Sequence, residues 1–168
     1  MGLYNLPTHS QSPGTVHAVI EISKGSSTKY EFDPELNEFV LDRCLMSAMV
    51  YPANYGFIPS TLADDGDALD ILVYNAVPID RGTVVPCTVL GCLHMIDDGA
   101  ADYKVIGCPT SHVKNYKSLE DIDPLFLDVT ENFFRRYKEI EGKDVTIGGW
   151  LKKNHTYEII KQSIANTK

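Results

Sequence analysis

The order of its patterns predicts that this chain of 168 residues folds as one α+β domain, mainly β. Segments that alternate or are rich in β-branched residues fill the chain from Thr15 to Pro109, whereas helical periodicity begins only after Asp123. Strands that come first and helices that come last are typical of an antiparallel barrel or sandwich with helices to one side.

Residues 1–14 are polar and contain Pro7, Pro13 and Gly14, so we expect a loosely held N-terminal arm before a single domain over residues 15–168. The strand-like segments of that domain are short and end at turn residues. They are Val16–Ile22, Lys29–Asp33, Glu38–Leu45, Asp70–Tyr74, Val84–Ile96 and Tyr103–Ile106.

Two helices are predicted late in the chain. Asp123 followed by Pro124 is a typical helix start, because Asp caps free backbone N–H groups and Pro suits the first helical position. Gly142 is expected to end this helix. Its apolar stripe consists of Phe126, Val129, Phe133, Tyr137 and Ile140. The second helix is expected over His155–Ala165, with Ile159, Ile160 and Ile164 buried.

The composition excludes several classes of partner. The chain has 15 basic and 23 acidic residues, a formal net charge of −8, so neither nucleic acid nor an anionic membrane is expected. No Lys or Arg precedes Lys24, which argues against a secretory signal. The uncharged stretch Cys44–Ala63 is interrupted by prolines and polar residues and is not expected to span a membrane. The four cysteines form no C-x-x-C pair, so we expect reduced, mostly buried thiols in a cytoplasmic protein.

An acidic cluster is the most informative segment. Asp64, Asp65, Asp67 and Asp70 lie within seven residues and lead directly into an apolar strand. Carboxylates held this close repel each other unless cations neutralise them, and oxygen-only ligands suit Mg²⁺, Mn²⁺ or Ca²⁺. The alternative is a solvated acidic turn. An EF-hand loop is excluded by its spacing, and an aspartyl-phosphate phosphatase is disfavoured because the acids precede the strand.

Further charged residues form same-face pairs. Asp97 and Asp98 open a predicted hairpin turn, and Asp102 lies two residues before Lys104 on the returning strand, so their side chains share a face. Lys29 and Glu31 repeat this pairing. Taken alone, the segment from Asp97 to Lys104 is better explained by a surface ladder of ion pairs.

Arg43 shares its strand face with Phe39 and Leu41, so it either reaches past apolar neighbours to solvent or serves a site. The segment Tyr51–Pro59 contains two prolines, a glycine and aromatics without charge, which predicts a rigid, packed structure. Tyr137 and Lys138 alone suggest a core tyrosine beside a solvated lysine.

Taken together, these segments resemble the soluble family I inorganic pyrophosphatases from about Val16 to Trp150. The Asp-x-Asp-x-x-Asp motif after the Tyr-Pro segment is the most specific part of the resemblance. Ala68 and Ser23 depart from the residues usual in the family, at positions that supply no ligand. The residues that carry the resemblance are Glu21-Ile22 with Gly25-Ser26, Lys29-Tyr30-Glu31, Asp42-Arg43, Tyr51–Pro59, Asp65-Gly66-Asp67 with Asp70, Asp97, Asp102 with Lys104, and Tyr137-Lys138.

The resemblance implies a five-stranded OB-like antiparallel barrel with two helices packed outside. It also implies Mg²⁺-dependent hydrolysis of pyrophosphate to two phosphates, by a metal-activated water attacking in line and without a covalent intermediate. Several Mg²⁺ ions per site are implied, with Mn²⁺ as a possible substitute, and a homohexamer is implied for the assembly.

The resemblance also implies roles for individual residues at the matching positions. Asp67 would be the general base, with Asp65, Asp70, Asp97, Asp102 and Glu31 as metal ligands, and Lys29, Arg43, Tyr55, Lys104, Tyr137 and Lys138 on the phosphates.

Two other functions are compatible with the sequence. The first is an OB-type binding module without catalysis, although the acids and the net charge disfavour a nucleic-acid ligand. A metal-dependent hydrolase of nucleotides or polyphosphate is the other.

Overall fold

The computed structural model describes residues 2–112 and 114–168. It contains eight strands and two helices, besides short 3₁₀ turns at Leu3–Asn5 and Leu119–Asp121. The strands are β1 (Thr15–Ile22), β2 (Thr28–Asp33), β3 (Glu38–Cys44), β4 (Asn54–Phe57), β5 (Asp70–Val73), β6 (Val84–Asp97), β7 (Ala100–Pro109) and β8 (Val145–Lys152). The helices are α1 (Pro124–Arg136) and α2 (Lys153–Ala165).

Five strands close into a barrel. The pairing order β1-β4-β5-β7-β6 returns to β1 through a further β1–β6 pairing, which confirms the predicted OB-like ring. Four of these pairings are antiparallel, and β5 pairs with β7 in parallel. The parallel pair sets Asp70 opposite Lys104. The hairpin of β2 and β3 forms a separate two-stranded sheet beside the ring.

Strands β4 and β8 were not predicted. β4 lies inside the segment Tyr51–Pro59, for which the sequence predicted only a rigid, packed structure. Gly56 of β4 allows β1 to approach closely, because a Cβ at this position would collide with the carbonyl oxygen of Val19. β8 extends the sheet beyond β6, and its glycines Gly148 and Gly149 weaken the strand pattern in the sequence.

Both predicted helices are present, although their bounds and their buried residues differ from the prediction. Asp123 caps α1 by accepting a hydrogen bond from Leu125 N at 3.0 Å. The helix ends at Arg136 instead of continuing to Gly142. Two members of its apolar stripe, Val129 and Ile140, are 46% and 64% exposed and do not pack into the core. In α2 only Ile160 of the three predicted isoleucines is fully buried, while Ile159 and Ile164 pack partly against the core.

The N-terminal arm is not loosely held. Thr8 Oγ1 donates a hydrogen bond to Pro59 O at 2.9 Å, and the ring of Tyr4 packs on Phe57 with centroids 5.4 Å apart. Apolar contacts with the core therefore hold residues that looked featureless in the sequence.

The cysteines are free, and three of them are buried as expected: Cys87, Cys92 and Cys108. Burial raises the pKa of Cys92 and Cys108 to about 11, so both stay protonated at neutral pH. Across residues 2–112 and 114–168, neither helix has the length and apolar composition needed to cross a bilayer.

Candidate active site

A cleft of about 250 Å³ opens where the β2–β3 hairpin, the loop before β5 and the β6–β7 turn meet. The site residues predicted from the sequence lie along it, with Arg43 as the exception. The charged and phenolic residues that line it are Tyr4, Glu21, Lys29, Tyr30, Glu31, Tyr51, Tyr55, Asp65, Asp67, Asp70, Asp97, Asp102, Lys104, Tyr137 and Lys138.

Lys104 lies at the floor of the cleft and is only 3% exposed. Its Nζ donates to Asp70 Oδ2 at 2.7 Å and to Tyr55 Oη at 2.9 Å, and lies 3.1 Å from Asp102 Oδ2. Burial alone would lower the pKa of Lys104, but the neighbouring carboxylates outweigh it and raise that pKa well above its ordinary value. Lys104 is therefore a permanent ammonium between two acids.

The hairpin contributes a second amine. Lys29 Nζ lies 2.7 Å from Glu31 Oε1 and 2.9 Å from Asp42 Oδ2. These contacts raise the pKa of Lys29 despite its burial, so it too remains charged. The predicted pairing of Lys29 with Glu31 is confirmed, and Asp42 is a partner that the sequence did not reveal.

Lys138 supplies the third amine, from the segment that follows α1. Its Nζ donates to Asp97 Oδ2 at the end of β6. Burial lowers the pKa of Lys138, but Tyr137 and Asp97 together raise it above the ordinary value. Tyr137 is buried against Phe133 and Phe134, and it also reaches the cleft, so it is both a core residue and a site residue.

The acidic loop before β5 turns at Gly66, whose φ of +89° favours glycine. The carboxylate of Asp65 accepts a hydrogen bond from Asp67 N at 3.0 Å, which fixes the tip of the loop. Burial raises the pKa of Asp67, and the nearby carboxylates of Asp65 and Asp70 raise it further. The side chain of Asp67 is thus more basic than an ordinary aspartate.

Arg43 lies beside the cleft. A register shift opposite Lys29 and Tyr30 leaves Asp42 as an extra residue in β3, so the strand alternation that set Arg43 on the face of Leu41 breaks there. Leu41 is exposed, whereas Arg43 Nη1 donates to Glu141 Oε2 at 2.7 Å. Its Nε is buried without a hydrogen-bond partner.

Sequence reasoning did not assign site roles to Glu21, Tyr4 or Tyr51. Glu21 is buried in β1, accepts a hydrogen bond from Phe32 N at 2.8 Å, and has its pKa raised to about 8 by burial and by Asp70 and Glu31. The sequence did contain a signal for Glu21, because it is the only carboxylate in a strand that is otherwise rich in β-branched residues. No pattern marked Tyr4, and the aromatic setting of Tyr51 suggested only packing.

The donor set of the cleft fits divalent cations. Within the described ranges, no three His, Cys, Asp or Glu side chains already converge as a coordination shell, because amines lie between the acids. The donors are nonetheless carboxylate oxygens, the ligands that Mg²⁺ and Mn²⁺ prefer. The pKa of Asp67 is raised first by burial and then by the neighbouring carboxylates of Asp65 and Asp70. Asp70 and Asp102 are in addition already arranged around one positive charge.

A closed barrel whose cleft combines carboxylates with buried amines defines a class of protein suited to binding cations and an oxyanion together. The family model described as inorganic pyrophosphatase matches residues 18–168. A protein of Nostoc sp. named inorganic pyrophosphatase is 42% identical over 166 residues, covering 98% of each chain. This chain belongs to the inorganic pyrophosphatase family, which confirms the resemblance seen in the sequence.

Solved structures agree with this assignment. The crystal structure of inorganic pyrophosphatase from Thermus thermophilus has a TM-score of 0.95 with this chain at 39% identity, covering 99% of both chains. A pyrophosphatase from Helicobacter pylori has a TM-score of 0.90 at 36% identity, covering 96% of this chain and 98% of that one.

Proposed function

We propose that this chain hydrolyses inorganic pyrophosphate to two phosphates in a Mg²⁺-dependent reaction, by in-line attack of water without a covalent intermediate. One observation carries the proposal beyond family membership. Three charged amines, those of Lys29, Lys104 and Lys138, each lie against a carboxylate in one cleft. Binding of pyrophosphate would need both the amines and the carboxylates. A protein of net charge −8 repels the bare anion, and cations held by the carboxylates would reverse the local sign.

The carboxylates would hold the cations. Asp65, Asp70 and Asp102 would bind one Mg²⁺, and Asp70 would be shared with a second. Asp97 and Asp102 would receive cations that arrive with the substrate, and Glu31 would bind a further one through water. Bound Mg²⁺, or Mn²⁺ in its place, would neutralise phosphoryl oxygens and lower the pKa of the water molecule it binds.

Asp67 would act as the general base. Its side chain is partly open to solvent at the tip of the acidic loop and lines the cleft. Its raised pKa, caused by partial burial and by neighbouring carboxylates, makes it a better proton acceptor than an isolated aspartate. It would take the proton of the attacking water while the amines hold the substrate in line.

The phosphate ligands would be Lys29, Arg43, Tyr55, Lys104, Tyr137 and Lys138. The amines would exchange part of their carboxylate contacts for phosphoryl oxygens, and their raised pKa values keep them charged while they do so. Arg43 would offer the remaining donors of its guanidinium, beyond the one held by Glu141.

The proposal also includes the oligomeric state and the cellular location of the protein. Residues 15–168 would form one catalytic domain of a cytoplasmic homohexamer. The exposed apolar side chains Leu125 and Val129 on α1 support association, since they are 65% and 46% exposed. Light scattering should give about six times the chain mass of 18.7 kDa. A monomer at micromolar concentration would contradict the hexamer alone.

Phosphate release from pyrophosphate, ATP and tripolyphosphate, each with Mg²⁺, tests the proposed reaction. Pyrophosphate should be hydrolysed in strong preference, and Asp67→Asn prepared in parallel guards against a contaminating enzyme. Preference for ATP or tripolyphosphate would favour a nucleotide or polyphosphate hydrolase. Binding of pyrophosphate without any turnover would favour a non-catalytic module.

A further inference from the structure

The N-terminal arm contacts two of the elements that form the cleft, the β2–β3 hairpin and the acidic loop before β5. The ring of Tyr4 packs against both Phe32 of β2 and Phe57 of β4, with centroid distances of 6.3 and 5.4 Å. Tyr4 also lines the cleft itself. A residue from the start of the chain thus lies where the hairpin and the acidic loop meet.

The arm is fixed to the segment Pro59–Ser60 at Tyr4 and at two residues that follow it. Ser60 N donates to Tyr4 O at 3.0 Å, and Ser60 Oγ donates to Leu6 O at 2.7 Å. Thr8 Oγ1 donates to Pro59 O, and its residue is buried. The phenol of Tyr4 is therefore presented from an anchored segment and not from a fraying terminus.

The hydroxyl of Tyr4 contacts the acidic loop directly. Ala68 N donates to Tyr4 Oη at 2.5 Å, across 64 positions of sequence. On either side of Ala68, Asp67 N donates to Asp65 Oδ1 and Leu69 N donates to Thr61 Oγ1. Three successive backbone N–H groups of the loop are thereby satisfied, and the middle one depends on the arm.

We propose that Tyr4 is a positioning residue for the acidic loop, holding in place the proposed cation ligands Asp65 and Asp70 and the proposed base Asp67. The inference rests on the proposed function for its catalytic meaning, but its structural and cation-binding parts can be measured without turnover. Ala68 is buried, so loss of the phenol oxygen would leave its N–H without an acceptor. The loop would then lose its order at the residue between two cation ligands.

The alternative is that Tyr4 only fills space beside Phe32 and Phe57. Tyr4→Phe separates the two roles, because it keeps the ring and removes the hydroxyl. Tyr157→Phe is the matched control, since Tyr157 is a half-buried tyrosine on α2 that does not line the cleft. Tyr4→Leu, which removes the ring as well, measures the contribution of packing to the unfolding free energy.

Hydrogen exchange of the Ala68 amide, followed by NMR, and calorimetric titration with Mg²⁺ test the proposal. In Tyr4→Phe the Ala68 amide should exchange at least about fivefold faster and the cation affinity should fall about fivefold, the factor that one hydrogen bond of ordinary net strength supplies. The Mg²⁺ concentration for half-maximal phosphate release should rise in parallel. Tyr157→Phe should change none of these.

Unchanged exchange of Ala68, or unchanged cation affinity, in Tyr4→Phe would overturn the positioning role. If the parent protein released no phosphate from pyrophosphate, the proposed reaction would fail, while exchange and calorimetry would still decide the role of Tyr4.

Discussion

The Nζ atom of Lys104 lies 2.7 Å from Oδ2 of Asp70, because β5 and β7 run parallel with these two residues in register. The same amine lies 3.1 Å from Asp102, two residues earlier on its own strand. One buried ammonium thus balances two acids that are proposed to bind cations. Its charge keeps the pair together in the free protein, and it also competes with any cation that binds there.

Lys104→Met should therefore separate stability from cation affinity. Without metal, the unfolding free energy should fall by about 3 kcal/mol, because Asp70 and Asp102 lose their partner in a partly buried site. Affinity for Mg²⁺ should rise, since no ammonium competes, while kcat falls. Urea unfolding in EDTA and calorimetric titration measure the first two quantities.

Lys161→Met is the matched control for that variant. Lys161 pairs with Glu158 at 3.2 Å on the exposed face of α2, so its loss should change stability by less than about 1 kcal/mol. Weaker Mg²⁺ binding in Lys104→Met would mean that the amine supports the cation site instead of competing with it.

Asp67 and Asp70 should respond differently to the same substitution. Asp67→Asn should lower kcat by about a hundredfold to ten-thousandfold, as expected for a lost general base, with a modest loss of Mg²⁺ affinity. Asp70→Asn should weaken Mg²⁺ binding itself, so raising Mg²⁺ should restore part of its activity. Equal recovery of both variants at high Mg²⁺ would make Asp67 simply another ligand.

The stability of the metal-free protein should depend on Glu21. Its pKa is raised from 4.5 to about 8, so the folded protein binds more protons than the unfolded chain between these values. The contribution of Glu21 to stability must then fall as pH rises from about 4.5 to about 8, by an amount on the order of a few kcal/mol.

Glu21→Gln removes this titration and keeps an oxygen for Phe32 N. Unfolding measured in EDTA should show the variant gaining stability relative to the parent as pH rises from 5 to 9. A difference between the two proteins that does not change with pH would contradict the raised pKa.

Arg43 and Glu141 should have opposite effects on substrate binding. Arg43→Lys keeps the charge but loses the planar fork, so KM for pyrophosphate should rise about tenfold. Glu141→Gln frees the guanidinium from its ion pair and should lower KM. If Glu141→Gln also raised KM, the ion pair would position Arg43 for the substrate instead of competing for it.

The sequence predicted those features that depend on local periodicity and chemistry. Strand alternation correctly placed Asp102 and Lys104 on one face, and Asp123 correctly marked the start of α1. Strand alternation did not predict β8, because Gly148 and Gly149 weaken its sequence pattern. Pairing with β6 makes this segment a strand. A shift of register at Asp42 similarly changed the face of Arg43.

Contacts between distant segments were beyond local patterns. The pairing of Asp70 with Lys104 depends on closure of the barrel, and the ion pair of Arg43 with Glu141 spans 98 positions. Tyr4 is the clearest case, because nothing in the periodicity of residues 1–14 connects its hydroxyl to Ala68.

The rate of phosphate release from pyrophosphate by chelator-treated protein, measured as Mg²⁺ is added back, tests the central claim most directly. The cleft of acids and amines predicts negligible release in excess EDTA and a saturable return of activity with Mg²⁺. Full activity in EDTA, or none at several millimolar Mg²⁺, would contradict it.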